Sequence, residues 1–214
     1  MKRIAIIDYG SGNLRSVANA LQAVAAADEQ IIVTALPGEV GTADRIILPG
    51  VGAFADCWRG LNALPDMLPV LERRVRREGI PFLGICVGMQ LLAASGHEYG
   101  VSPGLNWLGG EVRGLQKPPG GKIPHMGWNE LVLNQPLHPF FKGVASGAHV
   151  YFVHSYHLLP PSRDIVLAEA EYGQSIAAVA GRDNILGTQF HPEKSQQTGL
   201  RLLRNFLDWR LGEN

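Results

Sequence analysis

The chain reads as an α/β protein built on a central, mainly parallel sheet with helices on both faces, extended by an antiparallel or mixed sheet portion. Three observations predict this. Up to about residue 90, short apolar runs alternate with helix-period segments, the pattern of parallel strands joined by crossovers. The runs are apolar at successive positions, as in strands covered on both faces. From about residue 105 the rhythm changes to strand-length runs joined by short turns.

The elements follow in order. Arg3–Ile7 is the first apolar run, closed by Asp8 and a glycine-rich turn, Gly10–Asn13. Leu14, Val17, Ala18, Leu21 and Ala25 then recur with the spacing of one helical stripe. Gln30–Thr34 and Arg45–Leu48 are the second and third strands, the latter closed by Pro49-Gly50. A helical region runs on to Gly79, broken near Pro65 and Pro69, and carries the cationic tract Glu72–Glu78, read as a solvated helix face. Phe82–Ile85 is the fourth strand, and a helix is expected after Cys86. Further on, Leu105–Gly114, Met126–Leu133, His149–His154, Ile165–Tyr172, Ser175–Ala180 and Ile185–Phe190 read as strands. Residues 116–124 (QKPPGGKIP) form a Pro/Gly loop between two of them rather than a domain boundary. Leu200, Leu203, Phe206 and Leu207 stripe a last helix, so a single domain is expected over 1–214.

Composition narrows the function classes. Nineteen basic and nineteen acidic residues cancel, and no basic tail offers itself to a nucleic acid. Two cysteines, Cys57 and Cys86, make no disulfide framework, which fits a reducing, cytoplasmic setting. The apolar stretch of MKRIAIIDYG ends at Asp8, too soon for a signal peptide. Residues 79–96 lack charge, but Pro81, Gly84, Gly88 and Gln90 divide them into strand, turn and helix rather than a membrane span. No metal or cofactor is expected; His154 and His157 are three apart but lack supporting ligands.

In open parallel sheets ligands gather beyond the carboxyl ends of the strands. The loops 10–13, 49–52 and 84–88 all fall there. Gly84-Ile85-Cys86-Val87-Gly88 has the spacing G-x-C-x-G, the thiol counterpart of the strand-to-helix elbow that lifts a nucleophile out of a sheet. A helix beginning there offers free N–H groups and its dipole to a thiolate, and the Val87 amide faces the place where an oxyanion forms. Cys57, without a histidine near it in sequence, reads as structural. Among seven histidines, His191 closes an apolar strand and opens His191-Pro192-Glu193. Two residues apart on extended backbone, Glu193 reaches the imidazole and fixes its tautomer, leaving the other nitrogen for Cys86. The glycine loop Pro49-Gly50-Val51-Gly52 can bring further backbone amides close to a ligand.

These segments resemble a known family. PGVGAF at 49–54, GICVGMQ at 84–90 and HPEKS at 191–195 are similar, in order and separation, to the three motifs of class I (triad-type) glutamine amidotransferases. DYGSGNLRSV at 8–17, PHMGWN at 124–129 and YFVHSYH at 151–157 resemble more narrowly the glutaminase subunits of imidazole glycerol phosphate synthases. The resemblance covers essentially the whole chain and implies a flavodoxin-like fold. It implies L-glutamine as substrate, a Cys86 thioester, His191 as acid and base, and Glu193 as its support. Backbone amides of Val51, Gly52 and Val87 would hold the oxyanion, and Gly52, Gln90, Ser155 and Tyr156 would line the glutamine pocket. It also implies a partner, a TIM-barrel cyclase that receives ammonia. Asn13, Pro124, His125, Met126, Trp128 and Asn129 are the expected contacts, with Trp128 on an exposed loop. Val87 stands where many relatives carry leucine, and only its amide is involved. The alternatives are the glutaminase of another amidotransferase, a cysteine peptidase on a similar scaffold, or a non-catalytic binding module.

Overall fold

The structure, a computed structural model, describes residues 1–117, 119–210 and 212; Pro118, in the Pro/Gly loop, and the last positions of the expected domain lie outside them. The first half follows the predicted alternation: β1 (Lys2–Ile7), α1 (Leu14–Val24), β2 (Glu29–Thr34), the single turn α2 (Pro37–Val40), β3 (Arg45–Gly50), α3 (Phe54–Ala63), α4 (Met67–Leu71) and β4 (Phe82–Cys86). The helical region breaks at residues 64–66, just where Pro65 stands. Pro69 is accommodated in the first turn of α4, where its missing N–H has no partner to lose. The cationic tract is a π-helical turn, Glu72–Arg77. Glu72, Arg73, Arg76 and Arg77 stay exposed as the expected solvated face; Arg73 and Arg74 pair with Glu78, and Arg74 also donates to the Ala43 carbonyl.

After Cys86 the structure departs from expectation. The helix α5 (Val87–Gln90) is a single turn, shorter than the helix expected after Cys86. The cause is competition for carbonyls: those of Leu91, Leu92 and Ala93 accept the amides of Leu105, Trp107, Leu108 and Asn106, so no further helical turn can use them. The segment 105–110 is therefore not the start of a strand. Short strands β5 (Ser95–Gly96) and β6 (Ser102–Pro103) precede β7 (Glu111–Gly114). The run Met126–Leu133 is two strands in different sheets, β8 (His125–Glu130) and β9 (Val132–Leu133). β10 (His149–His154), β11 (Tyr156–Leu159), β12 (Val166–Glu171), β13 (Ser175–Arg182), β14 (Ile185–Thr188) and α6 (Gln196–Asp208) complete the order.

The main sheet runs β2-β1-β3-β4-β14-β13-β12-β9. Its first five strands are parallel and the remainder antiparallel. Two smaller sheets, β10-β8 and β11-β7-β5-β6, lie beside it. β4 sits in the middle and every one of its residues is buried, which explains its unbroken apolar sequence. On one side α1 packs through Val17, Ala18 and Leu21 and α6 through Leu202, Leu203, Phe206 and Leu207. Arg45 caps the end of α6 by donating to the Leu207 and Trp209 carbonyls at 2.9 and 2.6 Å. Arg204 ties α6 to Glu29 and to the Val24 carbonyl. Among the described residues no helix is long and apolar enough to cross a membrane.

Candidate active site

Because β1, β3, β4 and β14 run parallel, their carboxyl ends open at one rim, and register sets what meets there. Gly50 lies directly opposite Cys86, and Thr188 opposite Ile85. Cys86 has φ 55° and ψ −109°, a left-handed conformation that a β-carbon resists, so the elbow is strained. The two flanking glycines make the turn possible. A Cβ on Gly84 would lie 2.5 Å from the Gly88 carbonyl oxygen, and one on Gly88 1.8 Å from that of Leu48. With only one helical turn behind it, the sulfur is served by the free amides of that turn rather than by the summed dipole of a long helix.

β14 brings the partner groups. Beyond Thr188 come Gln189 and His191, both buried, and then the 3₁₀ turn Pro192–Lys194. His191 Nδ1 and Glu193 Oε1 are 2.8 Å apart, with the imidazole and carboxylate both enclosed. This pairing is made by a tight turn, closed by the Lys194 amide on the His191 carbonyl, and not by the extended backbone the spacing suggested. The imidazole shares the cavity with Cys86, whose side chain acts on it electrostatically. Burial works against its charge, but the pull of Cys86 and of hydrogen-bonded Glu193 outweighs burial and raises His191 to about 9. Near neutral pH it holds a proton between a sulfur and a carboxylate.

A cavity of about 710 Å³ opens over the sulfur. Its walls include Cys86, His191, Val51, Gly52, Val87, Gln90, Ser155 and Tyr156, so the residues expected for nucleophile, base, oxyanion and substrate meet in one space. Gln90 donates to the Tyr156 carbonyl at 2.8 Å and to Gln189 Oε1 at 3.2 Å, and the Gln189 amide lies 3.8 Å from Cys86 Sγ. Sequence reasoning missed Gln189, although an amide inside the apolar run Ile185–Phe190 was a visible signal. Glu98 was missed as well. It lines the cavity, is anchored by the Phe54 amide at 2.7 Å, and brings a carboxylate that can face a substrate ammonium group. The loop that carries Glu98 has no periodic pattern to mark it.

The segment PHMGWN is a strand, β8, rather than an exposed loop, because it pairs antiparallel with β10. Strand alternation sends Met126 and Trp128 outward, 61% and 47% exposed, beside exposed Pro124. His125 points inward and is buried, which corrects its assignment as a surface contact. Its neighbours fix its proton. His154 Nδ1 must donate to the Tyr156 carbonyl at 3.0 Å, so His154 Nε2 accepts from His125 Nδ1 at 2.9 Å. His125 Nε2 then accepts from the Asn129 amide at 3.2 Å, whose other hydrogen goes to the Glu171 carbonyl. Both rings are thereby neutral, and burial pushes His125 down to about 4 and His154 to about 3. Asn13 is half-buried, precedes α1 and lines the cavity, while Asn129 is half-buried within β8. Among the described residues no group of three His, Cys, Asp or Glu side chains could hold a metal ion.

Residues 5–209 match the family model described as glutamine amidotransferase class-I. The chain is 55% identical over 207 residues to the imidazole glycerol phosphate synthase subunit HisH of Zymomonas mobilis, covering 96% of this chain and 95% of that one. It is 52% identical over 212 residues to the protein of the same name from Rhodospirillum rubrum, covering 97% and 99%. A solved glutamine amidotransferase superposes with TM-score 0.71 at 20% identity, covering 96% of this chain and 97% of that one. The PurLQS structure from Thermotoga maritima gives 0.70 at 18% identity, covering 97% and 98%, and at such identity both show the fold alone.

Proposed function

The chain belongs to the class-I glutamine amidotransferase family, and from that premise we propose that it is the glutaminase subunit of an imidazole glycerol phosphate synthase. It hydrolyses L-glutamine to glutamate and ammonia, and the ammonia is used by a second subunit in histidine biosynthesis. The observation that carries this reading is that His191, bonded to Glu193 at 2.8 Å, lines the same cavity as Cys86.

The reaction follows from that order. Cys86 sulfur attacks the carboxamide carbon, and the carbonyl oxygen takes up negative charge against the amides of Val87 and of the Val51-Gly52 loop. Collapse of the tetrahedral adduct breaks the C–N bond, and the proton on His191 goes to the leaving nitrogen, which departs as ammonia. The now neutral imidazole takes a proton from water as the hydroxide oxygen adds to the thioester, and glutamate leaves as the thiol is restored. Glu193 keeps the imidazole aligned through both halves. Gln90, Ser155 and Tyr156 border the substrate, and Glu98 meets its α-ammonium group.

The partner is a TIM-barrel cyclase, docked where Pro124, Met126 and Trp128 face outward next to the cavity mouth at Asn13; His125 and Asn129 support that face from beneath. The single domain works in the cytoplasm. The test is direct. Cys86→Ala should release no ammonia from L-glutamine in complex with the cyclase while keeping the wild-type circular dichroism and partner affinity. Near-normal release by that variant would remove Cys86 from the mechanism.

A further inference from the structure

An unbroken row of hydrogen bonds runs along the cavity wall from β8 to the nucleophile, and its central member, the buried His154, has no part in the chemistry above. Asn129 donates to His125 Nε2 at 3.2 Å, His125 Nδ1 to His154 Nε2 at 2.9 Å, and His154 Nδ1 to the Tyr156 carbonyl at 3.0 Å. From the other side Gln90 Nε2 reaches the same carbonyl at 2.8 Å and Gln189 Oε1 at 3.2 Å, and the Gln189 amide lies 3.8 Å from Cys86 Sγ. The row has a direction. A carbonyl can only accept, so His154 must carry its hydrogen on Nδ1 and Gln90 must turn its nitrogen to Tyr156. The Tyr156 oxygen thereby receives a donor on each lone pair.

His154 ends β10 and Tyr156 begins β11, so this carbonyl sits at the corner where the chain passes from one small sheet to the other. Gln90 stands four residues after Cys86, on the same face of the α5 turn as the sulfur. Both hydrogens of its amide are committed, to Tyr156 and to Gln189, which leaves the oxygen as the atom it can offer to the cavity it lines. An oxygen there accepts an N–H of the substrate, whereas an amide turned over would present a donor instead. We propose that His154 is a positioning residue for glutamine binding: its Nδ1–H pins the Tyr156 carbonyl, and the pinned carbonyl holds the Gln90 amide with its oxygen toward the substrate. His125 supports it by fixing the tautomer, since the His125 Nδ1–H occupies His154 Nε2. His154 acts through a peptide group and a second side chain and transfers no proton. The inference rests on the glutaminase reading above.

The experiment compares His154→Asn and His154→Gln with the parent chain, each in complex with the cyclase subunit. An asparagine amide nitrogen lies as far along the side chain as Nδ1 and can still donate to Tyr156. A glutamine amide lies one bond further out, at the depth of Nε2, and misses that carbonyl. Two readouts are needed: kcat and KM for L-glutamine, and the Kd of L-glutamine by calorimetry in a Cys86→Ala background that does not turn over. Loss of one orienting hydrogen bond is worth about tenfold in binding. His154→Gln should raise KM and Kd about tenfold with kcat within about threefold, and His154→Asn should restore most of the affinity. A KM and Kd for His154→Gln within about threefold of the parent overturn the proposal, as does an equal loss in the two variants, the mark of a purely structural role. Should His154→Gln fail to fold, His125→Phe keeps the ring stack with Phe152 and Tyr172 but releases the His154 tautomer. It must raise KM about threefold or more, and a KM equal to the parent's overturns the proposal. A parent complex that neither binds nor hydrolyses glutamine refutes the glutaminase reading itself, which separates the two failures.

Discussion

Replacing Glu193 by glutamine changes one charge and almost no volume, and its effect can be worked from the site. His191 is raised to about 9 from an ordinary 6.5 although burial opposes its charge. Each unit corresponds to about 1.4 kcal/mol, so Cys86 and Glu193 together favour the imidazolium by more than about 3 kcal/mol. A hydrogen bond to a charged partner is worth roughly 1.5 to 3 kcal/mol, which is the part Glu193→Gln removes. The amide oxygen can still accept from Nδ1 at the 2.8 Å position, so tautomer and alignment survive while the charge is lost. The pKa of His191 should therefore fall by about one unit or more, and kcat by about tenfold to a hundredfold.

The sign is fixed by which form is needed. Ammonia departs with the proton of His191, so activity is present below the His191 pKa and is lost as pH rises through it. In the parent the alkaline limb of kcat/KM should lie near 9, and in Glu193→Gln it should move toward neutrality. The assay is initial glutamate production by the cyclase complex across pH 6 to 10, read as kcat/KM and kcat separately. An alkaline limb in the same place, with kcat within about threefold of the parent, would refute the assignment of Glu193 as the charge that supports His191.

Other predictions concern binding and stability. Trp128→Ala removes an exposed ring that packs edge-on against Tyr151, and should weaken cyclase binding about thirtyfold by calorimetry without moving the urea midpoint; unchanged affinity would take this face out of the interface. Gly199→Ala would place a Cβ 1.9 Å from the Pro192 carbonyl oxygen, between α6 and the turn that carries His191 and Glu193; it should cost on the order of 2 to 4 kcal/mol by urea unfolding and lower kcat/KM, and an unchanged midpoint would contradict the packing. His125 and His154 have folded values of about 4 and 3, below the unfolded 6.5, so their contribution is complete above pH 6.5 and declines as pH falls. Unfolding free energy should drop by roughly 2 kcal/mol per pH unit between 6 and 5, a window in which His191 is protonated both folded and unfolded, and a flat profile there would refute the neutral histidine pair.

The parts legible in sequence were those in which one residue type has one use. Glycines at 84 and 88 around Cys86 announced the elbow, since nothing larger fits against Leu48 and the neighbouring turn. Apolar runs announced β1, β3 and β4 because both faces of those strands are covered. What escaped was set by partners distant in sequence. Alternation marks the inward and outward faces of residues 125–133, but it cannot report that Glu130 pairs with β10 and Val132 with β12. The amides of 105–108 that end α5 come from a segment whose sequence reads as the start of a strand. His125 was grouped with the partner-facing segment PHMGWN, whereas the ring of His154 across the sheet, with Asn129 and the stacked Phe152 and Tyr172, draws it inside. Gln90 and His154, far apart in the chain, meet at the Tyr156 carbonyl, and no spacing rule reports that they do.

The place of β14 in the sheet carries a lesson about making this molecule. It lies between β4 and β13, yet among the described residues it is the last strand in sequence. While the chain emerges from the ribosome, β4 already bears the nucleophile but has one flank bare, an apolar edge without its ladder partner. Insertion of β14 closes that seam and delivers His191 in the same movement. Completion of the sheet and completion of the site thus need the same strand: a product truncated before residue 185 lacks His191 and leaves β4 with an unpaired edge.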